Sequence, residues 1–461
     1  MKTKISGKDL LKVGFPQNNS VNIALGIITR YRRKESKENV LAEAKEVLLA
    51  PEKFMHNRKW AKLSEYLIEP VKIRQHELRN QRAPFTIFGE NEIDDTAKRQ
   101  LYDALKLPVT VEGALMPDAQ GGYGLPIGGV LATDNAVIPY GVGVDIGCRM
   151  SLSIFDLPSN FTNGREEFIK SVLDTNTKFG MSETHKIKAD HEVLSDALFY
   201  EVPLLRQLHD KAYKQLGTSG GGNHFVEFGI VEIHFPTNGL EAGSYFALLS
   251  HSGSRSLGAN IAKHYTKLAS KQCPLPKHVQ HLAWLDLNTH DGMEYWECMN
   301  LAGRYAKACH DDIHRRINKA LGKRVICTVE NHHNFAWKEM HNNKEVVVHR
   351  KGATPASNGT LGIIPGSMTK PGYIVSGKGN SLSINSASHG AGRLHNRMNC
   401  KAMFTHSEMN KQLTHANVSL IGGSIDEAPM AYKDIDKVMS LQTELVDVVG
   451  KFIPKFVKMD N

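Results

Sequence analysis

"SYFALLSHSGSRSLG", residues 244–258, joins two textures that recur through most of the chain. Its first part, "SYFALLS", is dominated by aromatic and aliphatic residues and predicts a β-strand. His251 then stands among Ser and Gly, side chains too small to bury much apolar area. A histidine in that position is expected on a strand-end loop, where folds tend to display functional groups. The pattern repeats at "RVICTVE" (324–330), which leads into "HHN" (332–334) and His333. Further β-type runs, "SLSIFDL" (151–157) and "EVVVHR" (345–350), alternate with glycine-rich loops and helical stretches from about residue 110 onward. The expected class is therefore α+β (mixed α/β), with a central sheet region.

The ends of the chain read differently. Residues 1–80 are charged and helix-patterned: in "NVLAEAKEVLLA" the apolar Val40, Leu41, Ala44, Val47 and Leu48 share one helical face. A helical N-terminal extension over 1–80 and one large domain over 81–461 follow, since no repeat or long linker divides the remainder. In the tail "DIDKVMSLQTELVDVVGKFI" (434–453), Ile435, Val438, Met439, Leu445, Val449 and Phe452 fall at near-helical spacing, so a helix is expected to close the chain.

Lys and Arg number 57 against 48 Asp and Glu, a formal net charge of +9 over 461 residues. An excess of this sign favours polyanionic partners such as nucleic acid or nucleotides. Six cysteines are scattered without CxxC pairs, and "MKTKISGKDLLKVGFP" (1–16) has no apolar stretch of signal-peptide length. No apolar run approaches the ~20 residues of a membrane helix. These features predict a reduced, cytoplasmic protein without a membrane partner.

Four segments, three of them glycine-rich, carry potential metal ligands. Asp145 and Cys148 lie in "GVGVDIGCRM" (141–150), His224 in "GTSGGGNHFVEF" (217–228), His251 and His333 in the segments above. A carboxylate, a thiolate and three imidazoles suffice for one or two ions, and a cysteine can bridge two. The softness of the set suggests Zn, Fe or Co before Mn.

A fourth histidine stands apart. His389 in "SASHGAGR" (386–393) is flanked by nothing larger than Ser and Ala. The chain has no GxxxxGK[ST] phosphate loop and no KxDG nucleophilic lysine; the backbone N–H groups of "IPGSMTKPGY" (364–373) and "SASHGAGR" could instead cradle phosphates. A neutral imidazole is a competent nucleophile toward phosphorus.

"VDIGCRM", "GTSGGGNHFVEF", "HSGSRSLG", "HHN", "HRKGAT", "IPGSM" and "SHGAGR", in that order, closely resemble the RtcB family of RNA-splicing ligases. The likeness runs from "GALMPDAQGGYGLPIGG" (113–129) to the C-terminus and leaves the first 80 or so residues outside it. The resemblance implies an enzyme that uses GTP and Mn²⁺, with two ions, to join RNA bearing a 2′,3′-cyclic phosphate or 3′-phosphate to RNA with a 5′-hydroxyl, in splicing or repair. It makes Asp145, Cys148, His224, His251 and His333 the metal ligands and His389 the residue that takes GMP covalently. GMP contacts would come from Asn223, Glu227, Asn334, Pro365, Gly366, Ser367, Met368, the Gly390–Ala391–Gly392 backbone and Lys458. Three positions depart from the family pattern: Gln120 where His is usual, Arg149 where Gly is common, and Gly372 where a GMP-contacting Ser is expected. The competing readings are a metal-dependent phosphohydrolase or nuclease, which would not need His389, and a non-catalytic RNA-binding protein with a closed structural metal site.

Overall fold

The computed structural model describes residues 5–32, 35–68 and 76–461. Its larger sheet runs Leu361–Ile364, Gly372–Gly377, Val446–Met459, Phe225–Ile233, Gly243–Ser252, Arg149–Pro158, Val325–His332, with Ser419–Ile421 added beside Val446–Met459. The strand Gly243–Ser252 is interior to this sheet and covered on both sides. Phe246 and Leu248 join Phe155, Phe228, Ile313 and Ile317 on one face, while Ala247 and Leu249 join Met150, Leu152 and Val231 on the other. Burial on both faces explains why "SYFALLS" reads as a continuous apolar run rather than an alternation. Ile313 and Ile317 come from the 32-residue helix His290–Leu321, whose first turn is capped by the Thr289 hydroxyl accepting from Gly292 N–H.

The smaller sheet has the order Phe85–Ile87, Thr110–Gln120, Ile127–Thr133, Lys344–Lys351, Asn334–His341. One residue, His333, separates the edge strand Val325–His332 of the large sheet from Asn334–His341 of the small one. The chain returns along Lys344–Lys351 and leaves through Gly352, whose N–H donates to the His333 carbonyl at 2.8 Å. It then forms Ala353–Pro355, which pairs with Ser386–Ser388, the strand that leads directly into His389. His333 and His389 are thereby brought to the seam of the two sheets.

The tail differs from its expected helix. Only Ile435–Ser440 is helical; Val446–Met459 is a 14-residue strand in the middle of the large sheet. From Gly450 on, buried Phe452, Pro454 and Phe456 alternate with partly exposed Lys451 and Lys455, a period of two. Pro454 could not donate within a helix and sits here beside a register shift of the strand pair, a position that tolerates proline.

At the N-terminus, helices Gly7–Lys12, Asn19–Tyr31, Lys37–Leu49 and Ala61–Ile68 enclose a small core of their own around Leu10, Ile28, Val40, Trp60 and Leu63. Ion pairs Arg30–Glu294 (2.5 Å), Arg58–Glu201 (2.7 Å) and Lys62–Asp291 (3.4 Å) tie these helices to the body. All six cysteines are buried and unpaired. Among the described residues no helix is long and apolar enough to cross a membrane.

Candidate active site

Four neighbouring strands of the large sheet, Phe225–Ile233, Gly243–Ser252, Arg149–Pro158 and Val325–His332, are each antiparallel to the next. Alternating direction brings the starts of two and the ends of two to the same end of the sheet. His224 precedes the first strand, His251 is next to last in the second, Cys148 precedes the third and His333 follows the fourth. The register agrees: His251 pairs with Phe225 and with Met150, and Arg149 pairs with His332. Residues dispersed along the sequence from 145 to 333 converge for this reason. His251 lies within its strand rather than on the loop expected after it.

The side chains meet closely. Cys148 Sγ is 3.4 Å from His224 Nε2 and 3.2 Å from His251 Nε2; His251 Nε2 is 3.2 Å from His333 Nε2; His224 Nε2 is 3.0 Å from Asp145 Oδ2. His251 Nδ1–H donates to the Asn223 carbonyl at 2.9 Å, which leaves the Nε2 lone pair directed at the cluster, as for a metal-binding imidazole. Burial, with His224 adding to it, pushes the His251 imidazole down to about 3, and burial beside His389 and His251 pushes His333 well below its ordinary value. Burial and the Asp145 carboxylate push the Cys148 thiol well up. The His251 and His333 imidazoles, held neutral by burial and crowded Nε2 to Nε2 beside a thiol and a carboxylate, present the donor atoms that a divalent cation would take up while deprotonating the thiol. The donor set fits a metal. The ligand atoms of Cys148, His224 and His251 all lie within 4.8 Å of one another. Gly253 is required for this approach, since a Cβ there would stand 2.1 Å from Asp145 Oδ1.

His389 lies on the same pocket, its ring centroid 5.1 Å from that of His333. Asp118, fully buried, holds it: Oδ2 accepts from His389 Nδ1 at 2.6 Å and from His389 N–H at 3.1 Å. The proton is thus fixed on Nδ1, and Nε2 keeps its lone pair. The small residues around His389 answer partly to this strand: a Cβ on Gly392, whose φ is +73°, would stand 2.1 Å from the Asp118 carbonyl oxygen.

A pocket of about 330 Å³ unites these groups. Asp145, Cys148, His224, His251 and His333 line it, as do Asn223, Glu227, Asn334, the Pro365–Met368 segment and His389 to Gly392. Burial, with nothing to offset it, pushes the Glu227 carboxyl well above the usual range. Lys458 is not brought there. Val457 and Met459 line the pocket, and strand alternation turns Lys458 to the other face, where Nζ donates to the Asp174 carbonyl at 2.8 Å.

Asp118, which holds His389, and Lys351, on the pocket wall, were not singled out from sequence. Asp118 sits in the otherwise buried strand Thr110–Gln120, and a lone carboxylate in "GALMPDA" was the available signal, because a buried charge demands a partner. Lys351, on a strand end beside the pocket, has its ammonium pushed down to about 7 by burial. Of the departures, Gln120 lines the pocket and its Oε1 accepts from Arg393 N–H at 2.6 Å. Arg149 faces away, toward His332 Nδ1 at 3.2 Å and Glu330. Gly372 lies on the pocket wall.

A family model described as tRNA-splicing ligase RtcB matches residues 100–205 and 200–459, the span that contains every side chain of this pocket. The chain belongs to the RtcB family. Two Escherichia coli proteins, RNA-splicing ligase RtcB1 and RNA-splicing ligase RtcB, are each 33% identical to it over 404 residues, covering 81% of this chain and 96% of theirs. The tRNA-splicing ligase RtcB of Nanoarchaeum equitans is 28% identical over 448 residues, covering 80% and 94%. The RtcB match thus includes the whole large sheet, the small sheet apart from its edge strand Phe85–Ile87, and the seam between them, and begins after the four N-terminal helices.

Proposed function

We propose that this RtcB protein is a GTP- and Mn²⁺-dependent RNA ligase that joins a 2′,3′-cyclic phosphate or 3′-phosphate end to a 5′-hydroxyl end through GMP carried on His389. The observation that supports it is the pairing of His389 with Asp118 at the edge of the Cys/His/Asp cluster. Hydrolysis at a metal site uses water as the nucleophile and requires no further imidazole oriented for attack by its own buried carboxylate.

In this reading Asp118 keeps the proton on Nδ1 of His389 and stabilises the positive ring as Nε2 bonds to the α-phosphorus of GTP. The bond from that phosphorus to the β-bridging oxygen breaks, and pyrophosphate leaves. Mn²⁺ ions held by Asp145, Cys148, His224, His251 and His333 supply Lewis-acid polarisation of the phosphate oxygens. Asn223, Asn334, Ser367 and the backbone N–H groups of residues 390–392 bind phosphate and ribose. Glu227, buried without a cation to neutralise it, suits the paired N–H donors on the guanine edge. An oxygen of the RNA 3′-phosphate then attacks the GMP phosphorus and releases His389; the 5′-hydroxyl attacks the activated RNA phosphorus and GMP departs.

The test is a joining assay with a 3′-phosphate RNA, a 5′-hydroxyl RNA, GTP and Mn²⁺. The expected product is one longer strand that forms with GTP and not without it. Shortened strands or free phosphate in place of joined RNA would favour the hydrolase.

A further inference from the structure

Beside the pocket the loop after strand Thr110–Gln120 holds an aromatic ring out into solvent. Tyr123 is 70% exposed, yet the backbone leading up to it is held by hydrogen bonds. Gly121 N–H donates to Asp94 Oδ2 at 3.1 Å, Gly122 N–H to Gln100 Oε1 at 2.9 Å, and the Gln100 amide donates back to the Gly122 carbonyl. The Tyr123 carbonyl accepts from Lys351 Nζ, the buried lysine of the pocket wall. The ring is backed by two others: Tyr140 at 6.5 Å and His281 at 6.4 Å, both edge-on, and these two stack on each other at 5.1 Å. Lys351 Nζ lies 5.0 Å from the Tyr140 centroid, so one side chain spans from the aromatic group to the pocket. A large ring left open on an anchored loop, with a lysine side chain between it and a phosphate-handling pocket, has the composition of a stacking platform for a nucleobase.

We infer that Tyr123, supported by Tyr140 and His281, stacks on the terminal nucleobase of an RNA end whose phosphate or hydroxyl enters the pocket. This rests on the ligase reading for the identity of the ligand as RNA. Its chemistry is that of an unpaired base, which either of the two ends supplies.

The test is equilibrium binding of fluorescent single-stranded RNAs to the full-length protein. One RNA carries a 3′-phosphate and one a 5′-hydroxyl, each with its terminal base present or replaced by an abasic ribose. Tyr123→Ala should weaken binding of one of the intact strands by roughly five- to one-hundred-fold, while Tyr123→Phe stays within about two-fold of wild type, since a phenyl face stacks as well. On the abasic form of that strand, wild type and Tyr123→Ala should bind alike. Labelling of the protein by GTP, which does not involve the RNA base, should be unchanged in Tyr123→Ala. Equal binding of both intact strands by wild type and Tyr123→Ala, a loss that persists on the abasic strands, or loss of GTP labelling would each overturn the inference. Failure of the ligase reading would be seen separately, as wild-type protein that binds these RNAs but never joins them.

Discussion

His389 shows what one residue's surroundings reveal and what they hide. Its isolation among small residues marks it in the sequence, whereas Asp118, which fixes its tautomer at 2.6 Å, lies 271 positions away in a strand that reads as core. No local pattern connects them. If Asp118 acts by holding Nδ1–H, Asp118→Asn should slow formation of the GMP adduct by about 10²- to 10⁴-fold, the range for a lost general-base or orienting partner. Joining of RNA already activated as a 3′-ppG end should be spared, because in the proposed mechanism that step does not use His389. Single-turnover rates for the two steps decide it; equal losses in both would assign Asp118 a structural role. Cys148 makes a second residue-scale prediction. Cys148→Ala removes the sulfur that lies within 3.4 Å of both His224 and His251, so bound Mn²⁺ and joining should be lost while the far-UV spectrum is kept. Full metal content in the purified variant would remove Cys148 from the site.

The strands were the most legible elements, and their ends carried the clustered Cys and His side chains. Runs such as "SYFALLS" and "RVICTVE" announce themselves by composition, and the functional residue stands at or just past the run. What the runs could not convey is their order in the sheet, which alone explains why four ends coincide. The tail was misread because its apolar positions satisfy a helical spacing over 434–453, while the alternation that matters begins near Gly450 and is interrupted by the bulge beside Pro454. Packing across the central strands yields a stability prediction. Phe246 is fully buried and stacks on Phe228 at 5.0 Å and Phe155 at 5.9 Å. Phe246→Ala should cost about 3–5 kcal/mol, the usual penalty for truncating a core aromatic, measured as a lower urea midpoint; a midpoint like wild type would mean that the face is less well packed than its burial indicates.

At the scale of the molecule, the site belongs to neither sheet alone. His333 is the residue at which the chain passes from one sheet to the other, and His389 arrives on a separate two-stranded ribbon, so the pocket exists only when both sheets are docked. That seam was not readable in advance, because sequence spacing carries no information about which sheet a strand joins. The charge of +9 was readable, and it predicts that affinity for RNA falls steeply with salt as phosphate counterions are released; affinity that is flat across a salt titration would point to a small-molecule substrate. The central claim, however, is a covalent one. Protein incubated with α-labelled GTP and Mn²⁺ and then denatured should retain the label in a bond labile to acid and stable to base, as expected of nitrogen–phosphorus linkage, and mass spectrometry should map GMP to His389. A label that persists in His389→Ala, or that maps to a lysine, would contradict the account.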